Sequence, residues 1–165
     1  MRHVAGCVLL LLLVAGCTNS SPTLDEAAQV LAQDMKKLEP FYPTTNKKTV
    51  DRTGKGNDDF SNCSKSDTAL RLYQISGDFG EDIQSTPAER ADLFGRPLRD
   101  KIKEIGYEID RNSSWAQPGR SVGILRKNDP GITLIVLVQA SKPNIEIIGK
   151  TDCLSAPSPL ERGLQ

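Results

Sequence analysis

Residues 132–138 read Ile-Thr-Leu-Ile-Val-Leu-Val, and this short apolar run decides the fold. Successive side chains of a strand point to opposite faces, so one face of this run carries Ile132, Leu134, Val136 and Val138. The other face carries Ile135 and Leu137. A strand that is apolar on both faces is typical of the centre of a sheet with both faces covered. The run therefore predicts a central strand, and the cover of its second face becomes the main functional question.

Three further strand-like segments flank this run and are separated by turn-forming residues. They cover 107–111, 121–127 and 145–150. Together with the central run they predict an antiparallel meander at the C-terminal end. Two of their side chains, Leu125 and Ile148, are expected to share the second face with Ile135 and Leu137.

A first helix is predicted to begin just after Thr23. Thr23 and Glu26 have the spacing of a capping box, in which each side chain accepts a hydrogen bond from the other residue's backbone N–H. Apolar residues then recur at helical spacing. This pattern predicts a helix over 24–38.

A second helix is predicted to begin at Thr86, where Pro87 and Glu89 complete another capping box with a proline at the first helical position. Gly106 provides the stop. Because Gly95 and Pro97 interrupt the middle of this segment, a kink or two helices in series are expected.

Residues 69–76 have the composition of a strand, whereas 43–62 are polar without any apolar period and are expected to form a long loop. The predicted order is therefore α-β-α-β-β-β-β. This order indicates a two-layer α+β domain with an antiparallel sheet of about five strands and two or three helices. The domain should span 23–154, and residues 155–165 should form a flexible tail.

The first sixteen residues have the layout of a secretory signal. Arg2 is followed by an uncharged, largely apolar run from Val4 to Ala15 and a small-residue exit. A spanning helix needs about 20 apolar residues, and this run is shorter. We expect residues 1–16 to be removed as a signal peptide.

The exit Val14-Ala15-Gly16-Cys17 resembles the lipobox of bacterial lipoproteins. The resemblance implies that Cys17 becomes the first mature residue and is lipidated with acyl chains such as palmitate, while residues 17–22 form a short tether. Two acyl chains anchor a protein stably to a bilayer. The expected location is the extracytoplasmic face of the cell membrane, or an outer membrane in a cell that has one. An ordinary buried thiol at Cys17 is the alternative.

Two cysteines remain, Cys63 and Cys153, in a compartment where disulfides persist. We expect them to bond to each other, although two free thiols or a metal pair are alternatives. Two thiolates without histidine make only half of a zinc site. The bond would tie the start of the first strand to the end of the last, so those strands should be neighbours.

Composition excludes several classes of function. Loss of residues 1–16 removes Arg2 and the only histidine, His3, and leaves 20 basic against 21 acidic residues. No nucleic-acid partner is expected from such a neutral chain. Histidine-dependent catalysis is excluded, and no cofactor or metal is expected. An enzyme is not expected, but a histidine-free hydrolase using two carboxylates, from candidates such as Asp78, Glu81 and Asp82, remains the alternative.

The arrangement of lipobox, capped helix, strand-flanking cysteines and Gly-Tyr after the second helix looks like that of small uncharacterised lipoproteins of the actinobacterial type. This likeness implies no activity. We predict a binding or interaction module of the cell envelope, with a protein, a lipid or a polymer as its partner.

Two surfaces are candidates for the contact. One is the second sheet face, marked by Leu125, Ile135, Leu137 and Ile148, although a helix on each side or the long loop over that face is the favoured expectation. The other is Trp115, which lies in a predicted loop. Tryptophan is frequent at binding hot spots, but a lid folded onto the core is the favoured interpretation.

Overall fold

A computed structural model describes residues 21–42, 45–80 and 86–156. Two helices lie within these ranges, α1 (Leu24–Leu38) and α2 (Pro87–Glu104), and a 3-10 turn (Glu39–Phe41) follows α1. The same described residues form nine strands: β1 (Thr45–Arg52), β2 (Thr68–Ala69), β3 (Leu72–Asp78), β4 (Glu108–Ile109), β5 (Trp115–Gln117), β6 (Arg120–Lys127), β7 (Ile132–Gln139), β8 (Ile145–Thr151) and β9 (Leu154–Ser155). The predicted signal peptide, Cys17 and most of the tether lie outside the described residues.

Seven strands form one antiparallel sheet in the order β1-β3-β8-β7-β6-β4, with β5 also paired to β6. Its centre is the predicted meander β6-β7-β8, and β3 pairs with β8 as expected. The α+β class is confirmed, but the prediction of about five strands was too low.

β1 occupies eight residues of the segment predicted to be a long loop, and for those residues the prediction is wrong. All eight residues of β1 are exposed. It is an edge strand containing Lys47, Lys48, Asp51 and Arg52, and charged side chains are a common way to protect a sheet edge. Such a strand has no apolar side to reveal it in the sequence.

Both predicted capping boxes are present, at Thr23 with Glu26 and at Thr86 with Glu89. α2 is one helix that contains Pro97, so the expected division into two helices is wrong. Gly106 adopts a φ of 97° directly after α2, a conformation that favours glycine and ends helices.

Both helices lie on the same face of the sheet. α1 contacts β8 and β3, while α2 contacts β6 and β7. α1 approaches β8 so closely that a Cβ atom at position 149 would lie 2.5 Å from Leu31 Cδ1. Gly149 is therefore required by packing. The main core lies between this face and the two helices.

A buried carboxylate links α1 to the sheet. Asp34 is almost fully buried and accepts a hydrogen bond from Lys127 Nζ at 2.6 Å and one from Tyr107 Oη at 3.2 Å. Lys37 Nζ lies 3.0 Å from its other oxygen. Burying a charge costs several kcal/mol unless it is paired, and these contacts supply the pairing.

The predicted disulfide joins Cys63 to Cys153. Nearby, β2 pairs with β9, so Ser155 is held opposite Thr68. The first two residues of the predicted tail, Ser155 and Ala156, therefore belong to the folded domain, and Ala156 packs with Leu24 in a second small core.

Candidate binding face of the sheet

The strand register assigns every side chain of the sheet to one of two faces, because residues directly opposite each other in an antiparallel pair lie on the same side. One face lies under α1 and α2. We call the other the open face, because none of the helices in the described part of the chain packs on it.

Three parallel rows of side chains that cross the strands form the main part of the open face. The central row contains Val50, Gln74, Ile148, Ile135 and Ile124. The Trp115 row contains Lys48, Ser76, Glu146, Leu137, Val122 and Trp115. The Arg126 row contains Arg52, Leu72, Lys150, Thr133, Arg126 and Glu108.

Three of the four sequence-predicted contact residues lie together on this face: Ile135, Leu137 and Ile148. Each is only partly buried. The favoured expectation of a helix on each side of the sheet is wrong, since α1 and α2 share one face.

Leu125 does not belong to this group. It pairs with Leu134 and is 0% exposed, within the core beneath the helices. The turn between β6 and β7 sets Lys127 opposite Ile132, and this register moves Leu125 to the covered face. Its neighbour Ile124 lies on the open face instead.

Aliphatic side chains form a continuous patch on the open face. Ile148, Ile135 and Ile124 are neighbours across three strands, and Leu137 and Val122 extend the patch beside them. At the edge, Val50 is 45% exposed. Val50, Val122 and Ile124 were not predicted as contact residues; Val122 and Ile124 could have been found from the alternation in β6, whereas Val50 stands in a polar segment without apolar alternation.

Cationic side chains border the patch. Lys48, Arg52 and Lys150 are exposed, and no ion pair involves them in the described residues. Arg126 is different, because it forms a salt bridge with Asp152 at 2.6 Å. The hydrogen bond from Arg126 to Asp152 outweighs burial and raises the pKa of the guanidinium.

Glu146 is the acidic member of the patch itself, and Gln74 Nε2 donates a hydrogen bond to it at 2.8 Å. At the edge of the sheet, Glu108 lies opposite Arg126. Even with these carboxylates, the free cations give the border a positive balance.

Trp115 lies on the short edge strand β5 rather than in a loop, and it is 45% exposed. The expected lid over the core is therefore wrong. The guanidinium of Arg120 lies 5.4 Å from the centroid of its ring, within the range of a cation–π contact.

The carboxylates considered for hydrolysis are not assembled by the described residues. Asp78 is mostly buried and accepts a hydrogen bond from Asn46 Nδ2 at 3.1 Å. Glu81 and Asp82 lie outside the described residues. No group of three potential metal ligands occurs within 21–42, 45–80 and 86–156. The helices in these ranges include none long and apolar enough to cross a bilayer.

Comparison of the chain with protein-family models, with curated proteins and with solved structures found no match.

Proposed function

We propose that this protein is an extracytoplasmic lipoprotein, held on the outer face of a membrane by acylated Cys17, and that its open face binds another protein of the cell envelope. The observation that carries the binding proposal is the aliphatic patch on which no helix of the described residues packs, on a sheet whose other face is covered by α1 and α2. The anchor rests on the signal and the lipobox-like residues that precede the domain.

The short tether supports a particular orientation. α1 begins at Leu24, seven residues after Cys17, and a fully extended segment of this length reaches roughly 25 Å at most. Leu24 packs with Ala69, Phe60 and Leu154 in the second core. The end of the domain that carries β2, β9 and the disulfide would thus lie nearest the headgroups, while the open face would be directed sideways.

The size of the open face suits a protein partner. Five long strands spaced about 4.8 Å apart, each with about seven residues at roughly 3.3 Å, outline an area on the order of 550 Å². Stable interfaces bury about 800 Å² of accessible surface per partner. The two areas are of the same order, and an apolar centre with a polar border is the usual arrangement of an interface.

The charges on the open face indicate the chemistry of the partner. Lys48, Arg52 and Lys150 border an apolar centre and lack ion pairs among the described residues. A complementary surface would present aliphatic or aromatic side chains surrounded by carboxylates. Such electrostatic complementarity speeds the association of the two proteins and disfavours partners whose contact surface has a basic border.

The lipid anchor is tested by replacing the sulfur atom of Cys17 with oxygen. Cys17→Ser should abolish metabolic labelling with radioactive palmitate and release the protein from membranes, because the serine hydroxyl does not accept the thioether-linked lipid. Cys7→Ser provides the matched control within the signal and should label normally. Persistent labelling of Cys17→Ser would rule out lipidation at this residue.

The docking face is tested by the labelling rates of two engineered thiols with a membrane-impermeant maleimide. Val50→Cys reports on the open face, whereas Leu93→Cys, at a residue that is 65% exposed on α2, is the matched control. Each variant is compared in intact cells and as the purified full-length chain in vesicles of extracted envelope lipids. We expect Val50→Cys to react several-fold more slowly in cells only, and Leu93→Cys to react equally in both.

The other outcomes each contradict this proposal. Slow labelling of Val50→Cys in the lipid vesicles would make the bilayer the occupant of the open face. Equal labelling in cells and vesicles would mean that no partner covers it.

A further inference from the structure

A cleft separates α2 from the edge of the sheet formed by β4, β5 and β6. It has a volume of about 210 Å³. Its floor belongs to the covered face, although Val122 of the aliphatic patch also lines it at the sheet edge. Trp115 borders it, at the sheet edge where the two surfaces meet.

Two glycines create this space. Gly123 lies opposite Val136 on the covered face of β6 and therefore adds no side chain to the floor. Gly95 brings the backbone of α2 close to the sheet, since a Cβ atom there would lie 3.5 Å from Ser121 Oγ and 3.8 Å from Val138. The helix thus contributes little bulk above the floor, and the volume beside it stays open.

The interior of the cleft is apolar. Leu125, Val136 and Val138 line its floor, and Ile109 lines its side on β4. Leu125 and Val138 are almost completely buried. An apolar ligand group placed here would therefore be removed from water on the side that contacts the aliphatic floor.

Two arginines line the same cleft, Arg99 from α2 and Arg111 from the segment after β4. Within the described residues neither forms a hydrogen bond or an ion pair. None of the described side chains that line the cleft is a carboxylate. The adjacent Asp110 accepts hydrogen bonds from the N–H groups of Asn112 and Ser113.

The charge on Asp110 is stabilised locally. The hydrogen bond from the Ser113 side chain, followed by that from the Asn112 backbone, lowers the pKa of its carboxyl. Asp110 therefore stays ionised and bonded within its own turn, and both arginines remain available to an anion.

We infer that this cleft binds a compact apolar carboxylate, whose ring or branched chain occupies the aliphatic floor while its carboxylate lies between Arg99 and Arg111. A dry cavity of about 150 Å³ accommodates benzene, and sites for drug-sized ligands start at about 300 Å³. The volume of this cleft lies between the two, which suits a body of six to eight carbon atoms. Guanidinium groups match the planar geometry of a carboxylate.

The chain contains a single tryptophan, Trp115, so its fluorescence reports on this cleft and on the adjoining edge of the open face, and the arginine substitutions below distinguish the two. The test titrates cyclohexanecarboxylate into the full-length chain in phosphatidylcholine vesicles. Cyclohexylmethanol has the same ring without the charge, and acetate has the charge without the ring. We expect a saturable spectral change with cyclohexanecarboxylate and affinities at least about tenfold weaker for both comparison ligands, since hydrogen bonds to charged groups are the strong ones.

Three substitutions assign the binding to the two arginines. Arg99→Gln and Arg111→Gln should each weaken cyclohexanecarboxylate binding about tenfold and leave the weak binding of cyclohexylmethanol unchanged. Arg96→Gln is the matched control, because Arg96 is exposed on the same helix and does not line the cleft. Its affinity should equal that of the unmodified chain.

Several results would overturn the inference. Equal affinity for the acid and the alcohol would remove any role for the charges, and equal affinity for acetate would remove the apolar floor. Absence of a saturable change would mean that no ligand of this class binds. A loss with Arg96→Gln as large as that with Arg99→Gln would indicate only a general attraction of anions.

Discussion

The two faces of the sheet differ although the same strands build both. On β8, Ile147 is completely buried beneath the helices, while its neighbour Ile148 on the open face is only partly buried. The covered face is packed against α1 and α2, and the open face carries an aliphatic patch of similar composition without that cover. Alternate residues of one strand thus serve two purposes, folding on one side and, in our proposal, recognition on the other.

The polar contacts of the two faces differ in the same way. Asp34 beneath the helices is buried and paired with Lys127, so losing a partner there would leave a buried charge. Arg126 and Asp152 on the open side form a solvent-exposed salt bridge, and such pairs contribute about 0–1 kcal/mol. Substitutions on the covered face should therefore change the free energy of unfolding strongly, and substitutions on the open face should change it little.

Loss of the disulfide is expected to reduce the stability of the domain more than any substitution on either face of the sheet. The double substitution Cys63→Ser, Cys153→Ser should lower the free energy of unfolding by roughly 4–5 kcal/mol, because the bond closes a loop of about 90 residues in the unfolded chain. Urea denaturation measures this difference. A reductant should shift the unmodified chain to the same midpoint and leave the double variant unchanged; a loss below about 1 kcal/mol would contradict the entropic argument.

The second prediction compares the faces directly. Ile147→Ala should cost about 2–5 kcal/mol because it leaves a cavity beneath the helices. Ile148→Ala should cost less than about 1 kcal/mol, since surface substitutions usually have small effects. Urea denaturation of the two variants measures these losses of stability. Similar losses for both variants would mean that the open face is packed as tightly as the covered one.

The third prediction concerns two tyrosines of the covered core. Tyr107 donates a hydrogen bond to Asp34, whereas Tyr42 Oη is buried without a hydrogen-bond partner among the described atoms. Tyr107→Phe should cost about 1–3 kcal/mol because it removes a donor from a buried carboxylate, while Tyr42→Phe should be neutral or stabilising. Equal losses of unfolding free energy in urea denaturation would show that the hydroxyl of Tyr42 forms a hydrogen bond in solution.

Local patterns predicted much of this fold. α1 and the start of α2 follow from capping boxes, and β7 follows from a seven-residue run with six apolar side chains. Two cysteines in the expected mature chain, together with the expectation of an oxidising compartment, were sufficient to predict the disulfide. Each of these features depends on residues close in sequence or on a simple pairing, and the structure contains all of them.

Features that depend on distant pairing were missed. β1 forms because β3 offers it a free edge, and its own eight exposed residues contain no apolar alternation. Leu125 was placed on the wrong face because alternation fixes faces within a strand, whereas the turn between β6 and β7 fixes them between strands. The position of both helices on one face likewise follows from chain crossings that no local pattern records.

One face of the sheet is covered by α1 and α2, and the other is open. Isoleucine methyl groups report on both faces, with Ile124, Ile135 and Ile148 on the open one and Ile132, Ile145 and Ile147 on the covered one. The measurement is the relaxation of these methyl groups by a soluble paramagnetic agent, in NMR spectra of the purified chain. We expect several-fold faster relaxation for the three isoleucines of the open face; equal relaxation of the two sets would mean that both faces are covered alike.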